Sequence, residues 1–185
     1  MQPLLTSTQM QEIDRRTISE MGLPELLLME HAAIGVVKAL QKRFGSTLPH
    51  TRGIILVGPG NNGGDALAVA RILDSLGVKK IFVGVLGNSK KLSKSTQKQS
   101  EILGKLGVPV FWPKKPDREL FESCDWIVDG IFGTGLTREV QDPFLPWIQK
   151  TNQFSGKKWV VSIDVPSGLD SDTGHPNPEI GRAHV

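Results

Sequence analysis

The stretch 58–65, Gly-Pro-Gly-Asn-Asn-Gly-Gly-Asp, follows directly after an apolar run. Gly58, Gly60 and Gly63 satisfy the pattern G-x-G-x-x-G, in which glycines allow a tight turn and free N–H groups at a helix start attract a pyrophosphate. A conventional NAD site also needs an acidic residue about 20 residues further on. The sequence there reads Leu-Gly-Asn at 86–88, which argues against an ordinary NAD-dependent dehydrogenase. A glycine-rich turn, with its aspartate favourably placed near a helix N-terminus, is the alternative interpretation.

Two further loops place a carboxylate directly after an apolar run. Asp129 precedes a Gly-Thr-Gly loop at 133–135, whose N–H groups could bind an anion, and Arg138 could reach a phosphate. Taken alone, this loop is equally consistent with a turn that carries a solvated aspartate. Asp164 precedes a sharp Pro-Ser-Gly turn that contains the hydroxyl of Ser167. This serine has no G-x-S-x-G surroundings and no clear histidine partner, so a hydrolase nucleophile is poorly supported.

Taken together, the three loops offer a set of oxygen ligands. Asn62 supplies an amide oxygen, Asp129 a carboxylate and Ser167 a hydroxyl. These are hard ligands with a single negative charge among them. They suit an alkali or other hard cation, and they disfavour zinc, which prefers nitrogen and sulfur.

The apolar periodicity predicts an α/β fold that would position these loops. The first of two opening helices has Ser7 or Thr8 as its N-cap with Gln11 as the capping-box partner, and the second extends from Pro24 to about Phe44. Strands are predicted at 53–57, 81–86, 108–112, 126–128 and 159–163, with helices at about 69–76 and 92–106. Apolar strands that alternate with helices form a parallel sheet covered on both faces. Ligands bind outside the carboxyl ends of such strands, so we expect the three loops to converge there.

Length and composition exclude several classes of protein. The chain has 185 residues with a net charge of +3, which fits a single domain and gives no reason to expect a nucleic-acid partner. No apolar stretch approaches the ~18 residues that would cross a membrane, and the start lacks the features of a secretory signal. The lone cysteine, Cys124, excludes a disulfide framework. We therefore expect a cytoplasmic location and no membrane partner.

Basic residues are concentrated in the segment 79–118, which holds ten lysines and arginines against two acidic residues. The simplest interpretation is a solvated helix face, and the alternative is a rim that attracts phosphate.

Three motifs in this order resemble the NAD(P)H-hydrate epimerase family, the YjeF N-terminal domain. They are Asn-Asn-Gly-Gly-Asp at 61–65, Asp-Gly-Ile-Phe-Gly-Thr-Gly-Leu at 129–136 and Asp-Val-Pro-Ser-Gly-Leu at 164–169, followed by Asp-Thr-Gly at 172–174. The opening helices are also similar, and the resemblance extends from about residue 5 to about residue 174. Ala66 stands where the family often has glycine, a change that suits a helix.

The resemblance implies a Rossmann-like three-layer sandwich, with a mostly parallel sheet and helices on both faces. It implies a homodimer that interconverts the R and S forms of hydrated NADH or NADPH. Within these two substrates, Lys90 and Lys91 slightly favour the hydrate of NADPH. It also implies a potassium site at Asn62, Asp129 and Ser167. The positions that it implies for binding the hydrated dinucleotide are Asn61, Asn62, Gly63, Gly64, Asp65, Gly133, Thr134, Gly135, Leu136, Thr137, Arg138, Glu139 and Asp164.

The chemistry of such a reaction needs one positioned general acid/base. The carbon C6 of the hydrated ring bears a hydroxyl and the ring nitrogen, so protonating the hydroxyl lets water leave and return on the other face. Opening the ring to an aldehyde and closing it again is an equivalent route. We expect Asp164 to be the acid/base, with Asp65 as the second choice, because a buried carboxylate can have a pKa near working pH.

The end of the chain departs from the family, which continues with further strands and helices. We therefore expect residues 1–178 to be a truncated YjeF N-terminal domain that leaves an unpaired sheet edge. The last residues, 179–185, match an in-frame translation of a common sequencing-adapter oligonucleotide, and we interpret them as a non-native tail. A genuine divergent tail is the alternative.

Two other functions are compatible with the same family. The chain could be a non-catalytic scaffold or dimerisation module, although its intact polar loops argue against that. It could also be the N-terminal part of a bifunctional epimerase/dehydratase.

Overall fold

Five parallel strands form the centre of the fold in the computed structural model, which describes residues 5–136, 138–181 and 183. The strands are β1 (Arg52–Val57), β2 (Lys80–Val85), β3 (Val110–Phe111), β4 (Trp126–Gly130) and β5 (Trp159–Ser162). Their order in the sheet is β3-β2-β1-β4-β5, and every neighbouring pair is parallel. The direction of strand addition reverses between β1 and β4, which is where open α/β sheets bind ligands. The predicted parallel α/β class is confirmed.

Six α-helices surround the sheet in the described residues. They are α1 (Ser7–Ser19), α2 (Glu25–Phe44), α3 (Asn61–Ser75), α4 (Lys94–Lys105), α5 (Arg118–Ser123) and α6 (Leu145–Phe154). Short 3₁₀ turns cover Gly45–His50 and Ser89–Lys91. None of these helices is long and apolar enough to cross a membrane.

Alternate residues of β1 pack into two separate cores, which makes the architecture a three-layer sandwich. Ile55 and Val57 join the core formed with α2, α3 and α4. Ile54 and Leu56 point to the other side, where Phe121 of α5 and residues of α6 cover the sheet. Because both faces are covered, a continuous apolar run is required in the central strand.

The first helix begins two residues earlier than the predicted capping box. Thr6 is the N-cap: its hydroxyl accepts from the N–H of Gln9 at 3.2 Å, and its own N–H donates to Gln9 Oε1 at 2.9 Å. The expected pairing of Thr8 with Gln11 is therefore wrong. Ser7, the other proposed cap, instead donates its N–H and its hydroxyl to the Asp172 carboxylate at 2.7 and 2.6 Å. The capping box is therefore the local pair Thr6 and Gln9, and the tertiary contact of Ser7 with Asp172 is one that local spacing cannot reveal.

Three elements differ from the sequence prediction, at the β3 edge of the sheet and on the face covered by α5 and α6. Only Val110 and Phe111 of the predicted strand 108–112 pair with β2, because Pro109 has no N–H to donate and the strand lies at the sheet edge. Helices α5 and α6 were not predicted at all. The signals for α6 are Pro146 in the first turn and the buried positions Trp147, Ile148 and Thr151, which share one helix face.

The segment after Ser167 folds back against α6. Ile180 is buried and donates its N–H to the carbonyl of Ser167 at 2.9 Å. Asn152 of α6 accepts from the N–H of Gly181 and donates to the carbonyl of Glu179. Arg182, His184 and Val185 lie outside the described residues. The domain boundary at 178 and the non-native origin of residues 179–185 stay predictions.

A matched pair of glycine substitutions tests the packing between β1 and β4. A Cβ on Gly53 would lie 2.0 Å from the Trp126 ring, which is fully buried. We expect Gly53→Ala to lower the free energy of unfolding by about 3 kcal/mol through overpacking. Gly35→Ala in α2 meets no atom within 4 Å and should raise it by about 0.5–1 kcal/mol. Urea unfolding of both variants measures the difference, and equal stabilities would contradict this packing.

Candidate functional site

A cleft of about 770 Å³ lies at the carboxyl ends of β1, β4 and β5. Its size is typical of a cofactor or small-molecule site. The predicted site residues that line it are Asn61, Asn62, Asp65, Gly133, Thr134, Gly135, Leu136, Arg138 and Asp164. The convergence of three loops that are distant along the chain is therefore present in the fold.

Some predicted residues lie beside the cleft and do not line it. Gly63 and Gly64 are both buried. A Cβ on Gly63 would lie 2.0 Å from Gly58 O, and a Cβ on Gly64 would lie 2.6 Å from Met29 Cε. Asp129 and Ser167 are buried beneath the lining, and Glu139 is exposed outside it. Thr137 lies outside the described residues.

The loop after β1 is pressed against the loop after β4. Gly58 donates its N–H to the carbonyl of Gly130 at 2.9 Å, and a Cβ on Gly58 would lie 1.7 Å from Ile131 O. Only glycine permits this approach. The following Gly60 is the N-cap of α3 and supplies no side-chain cap, so the first N–H groups of this helix are available to an anion.

Asp129 joins the loops after β4 and β5 through a fully buried carboxylate. Its Oδ2 accepts from the Ser162 hydroxyl at 2.9 Å and from the Ser167 N–H at 2.8 Å. Its Oδ1 accepts from the Ser167 hydroxyl at 2.5 Å and from the Ile131 N–H at 3.2 Å. Burial raises the pKa of Asp129, and these four hydrogen bonds oppose that rise. A buried carboxylate with this many donors has a structural role whether or not it also binds a cation.

The side chain of Asn62 has buried oxygen and nitrogen atoms with no hydrogen-bond partner in the described residues. Such unpaired polar atoms cost about 1–3 kcal/mol each, so their presence in a cleft wall points to a missing ligand. An unpaired amide oxygen fits a hard cation. The described residues contain no group of three or more His, Cys, Asp or Glu side chains suited to a metal ion, so a cation here would depend on neutral oxygens beside the Asp129 carboxylate.

The carboxylates that face the cleft influence one another. Burial is the main cause that raises the pKa of Asp65 to about 7, and the charges of Asp164, Glu25 and Asp14 add to it. Burial and the charge of Asp164 also raise the pKa of Asp14. A carboxyl group with a pKa near neutrality can both give and take a proton at working pH.

Asp164 is held over the loop 133–135 by a backbone hydrogen bond. Its Oδ2 accepts from the N–H of Thr134 at 2.8 Å. A Cβ on Gly133 would lie 2.5 Å from the same oxygen, so glycine is needed for this loop to pass under the carboxylate. Arg138 lines the same side of the cleft and is exposed.

Helix α1 supplies a wall of the cleft that the motifs did not reveal. Met10, Gln11 and Asp14 line the cleft, and α1 buries no residue completely. The spacing of these three positions, i, i+1 and i+4, places them on one helix face, but the same spacing occurs in helices that face solvent. Asp14 lies among the charged residues Glu12, Arg15 and Arg16, so its type alone did not distinguish it.

Comparisons with known proteins agree with this combination of a three-layer α/β sandwich and a cleft at the strand switch point. A family profile described as "YjeF-related protein N-terminus" matches residues 25–185. The chain belongs to this family.

Individual relatives cover most of the chain. The NAD(P)H-hydrate epimerase of Limosilactobacillus fermentum is 35% identical over 170 residues, which are 92% of this chain and 77% of the relative. The Bifunctional NAD(P)H-hydrate repair enzyme Nnr of Dictyoglomus turgidum is 39% identical over 97% of this chain and 34% of its own length. The crystal structure of yeast ynu0 (YNL200c) superimposes with a TM-score of 0.85 at 28% identity, covering 97% of this chain and 77% of that one.

The raised pKa of Asp65 predicts a pH-dependent effect of Asp65→Asn on stability. A carboxyl whose pKa is higher in the folded state than in the unfolded state disfavours folding once it ionises. The penalty is absent below about pH 4, grows between pH 4 and 7 and is complete above 7. We expect Asp65→Asn to be more stable than the parent by roughly 1–3 kcal/mol at pH 8, with no gain at pH 4.

Urea unfolding at the two pH values measures this difference. Asp74 lies on α3, like Asp65, and forms an exposed ion pair with Lys79 beyond the end of the helix. Asp74→Asn is therefore the matched control and should not stabilise the protein at pH 8. A gain for Asp65→Asn that is equal at both pH values would contradict the assignment.

Proposed function

We propose that this protein interconverts the R and S forms of hydrated NADH and NADPH. The observation that carries this proposal is a carboxyl group with a pKa of about 7 in a cleft whose loops offer backbone N–H groups for phosphates. Relatives named NAD(P)H-hydrate epimerase support the choice of reaction.

The cleft contains both basic and acidic groups, and this suggests how a dinucleotide binds in it. Arg138 provides a positive charge, which suits a pyrophosphate, whereas the Thr134 N–H of the neighbouring loop is already bound to Asp164. Asp65, Asp164 and Asp14 are the acidic groups, which suit the reacting ring. When the protonated C6 hydroxyl leaves as water, the ring becomes a cation, and nearby carboxylates stabilise the positive charge that develops.

The reaction then needs only one proton to move in each direction. A protonated carboxyl donates to the C6 hydroxyl as the ring nitrogen expels water. The same carboxylate takes a proton from the water that attacks the opposite face, so the enzyme returns to its starting state. Asp164 is our first choice for this acid/base and Asp65 the second. The pKa of Asp65 suits the role, and Asp164 is fixed by Thr134.

A potassium ion at Asn62, Asp129 and Ser167 belongs to the same proposal. The unpaired amide of Asn62 and the contact of the Ser167 hydroxyl with the Asp129 carboxylate support it. The ion would supply positive charge beneath the cleft floor, where it would offset the buried charge of Asp129 and give the Asn62 oxygen a partner.

Self-association and cellular location are further parts of this proposal. The apolar side chains of α1 and the following turn are well exposed, among them Met10, Ile13 and Met21, the last at 72%. Exposed apolar groups of this kind are typical of an interface, and they support the expected homodimer. The cytoplasmic location and the preference for NADPH stay predictions, and Lys90 and Lys91 do not line the cleft.

The direct test supplies the purified protein with the R form of hydrated NADPH and follows its conversion to the S form by chromatography. We expect conversion well above the enzyme-free rate in potassium, and a marked loss when sodium replaces potassium. Asn62→Ala should raise the potassium concentration that gives half-maximal activity without lowering stability, because its amide has no hydrogen bond to lose. Absence of conversion in potassium would leave a non-catalytic scaffold as the better description. Equal rates in the two salts would exclude the potassium site.

The role of Asp164 is tested by Asp164→Asn, in which an amide oxygen can still accept from the N–H of Thr134. Loss of the acid/base should lower kcat by about 10²–10⁴-fold, while the dissociation constant for the hydrated dinucleotide changes little. Turnover and equilibrium dialysis measure the two quantities. Near-normal turnover would remove Asp164 from the mechanism and leave Asp65→Asn as the variant to examine.

A further inference from the structure

Glu25 connects three helices at the edge of the cleft. It lies in the first turn of α2, and its Oε1 accepts from Nδ2 of Asn61, at the start of α3, at 2.6 Å. Its Oε2 accepts from the hydroxyl of Ser95 in α4. Both carboxylate oxygens are therefore engaged by donors from neighbouring helices. Glu25 itself does not line the cleft, but Asn61 does.

We propose that Glu25 is a positioning residue that fixes the carboxamide of Asn61 so that its carbonyl oxygen is the group available to a ligand. This inference rests on the proposed function, because Asn61 is one of the residues expected to bind the dinucleotide.

The orientation follows from the chemistry of the two groups. An ionised carboxylate only accepts hydrogen bonds, so Asn61 must turn its NH₂ group toward Glu25. The carbonyl oxygen of the same carboxamide then has no hydrogen bond to Glu25. Asn61 is exposed at the cleft wall, so this oxygen can meet a ligand.

A fixed acceptor selects a donor on the ligand. A ribose hydroxyl or the NH₂ of a carboxamide can donate to the Asn61 oxygen, whereas a phosphate oxygen would be repelled. Asn61 would therefore bind the ribose or the nicotinamide carboxamide, and the phosphates would lie elsewhere in the cleft, where Arg138 supplies a positive charge. An asparagine free to rotate could not make this distinction, because it offers a donor and an acceptor interchangeably.

The charge of Glu25 gives the residue a second influence on the cleft. The groups that act on Asp65 are Asp14 from α1, Glu25 from α2 and Asp164 from the segment after β5, and all of them raise its pKa. Removing the charge of Glu25 should lower the pKa of Asp65. A residue that only braces the N-terminus of α2 would affect stability and leave both Asn61 and Asp65 unchanged.

Two substitutions separate the hydrogen bond from the charge. Glu25→Gln keeps an oxygen that can accept from Asn61 and removes the charge, whereas Glu25→Ala removes both. Glu101→Gln, at an exposed position of α4, is the charge-matched control. In the epimerase assay, Glu25→Ala should raise KM by about threefold to tenfold, and Glu25→Gln should leave KM nearly unchanged. In Glu25→Gln the pH limb that depends on Asp65 should move to lower pH.

Two NMR measurements need no substrate and keep this inference separate from the proposed function. The Asn61 carboxamide protons should be shifted downfield in the parent and in Glu25→Gln, and should move toward free-amide values in Glu25→Ala. The carboxyl carbon of Asp65 should titrate at lower pH in Glu25→Gln than in the parent or in Glu101→Gln. Unchanged Asn61 signals in Glu25→Ala would overturn the positioning role. An inactive parent protein would overturn the proposed function alone.

Discussion

The buried carboxylate of Asp129 determines how the rim of this sheet is assembled. A charge without water is unfavourable unless donors surround it, and here the donors come from β5, from the turn at Ser167 and from the chain just after β4. These segments are separated along the sequence, so the carboxylate can be satisfied only when β4 and β5 are correctly paired. The same requirement that stabilises the rim also brings the Ser167 turn beside the cleft floor.

Parts of the molecule that depend on local sequence could be predicted well. The central strands are apolar on both faces, and this pattern identifies a buried parallel strand without any knowledge of its neighbours. The rule that ligands bind at the carboxyl ends of such strands then placed Asp129 and Asp164 near each other. The glycine-rich stretch correctly marked the turn after β1, but the helix predicted at about 69–76 begins earlier, at Asn61.

Features that depend on tertiary contacts could not be predicted in this way. Ser7 at the start of α1 donates to Asp172, 165 residues away, and nothing in the local pattern records that contact. The cleft wall formed by α1 was missed because an exposed amphipathic helix has the same spacing whether it faces solvent or a ligand. The influence of Glu25 on Asp65 depends on where α2 lies relative to α3, which the sequence alone does not specify.

The close contact between Gly58 and Ile131 has a consequence for how this protein can vary. Main-chain atoms, and not side chains, fix the separation of the loops after β1 and β4 at this point. Substitutions elsewhere in the lining can therefore alter what the cleft recognises without altering its width. The ligand specificity and the width of the cleft are set by different parts of the same chain, so the specificity can change while the width is kept.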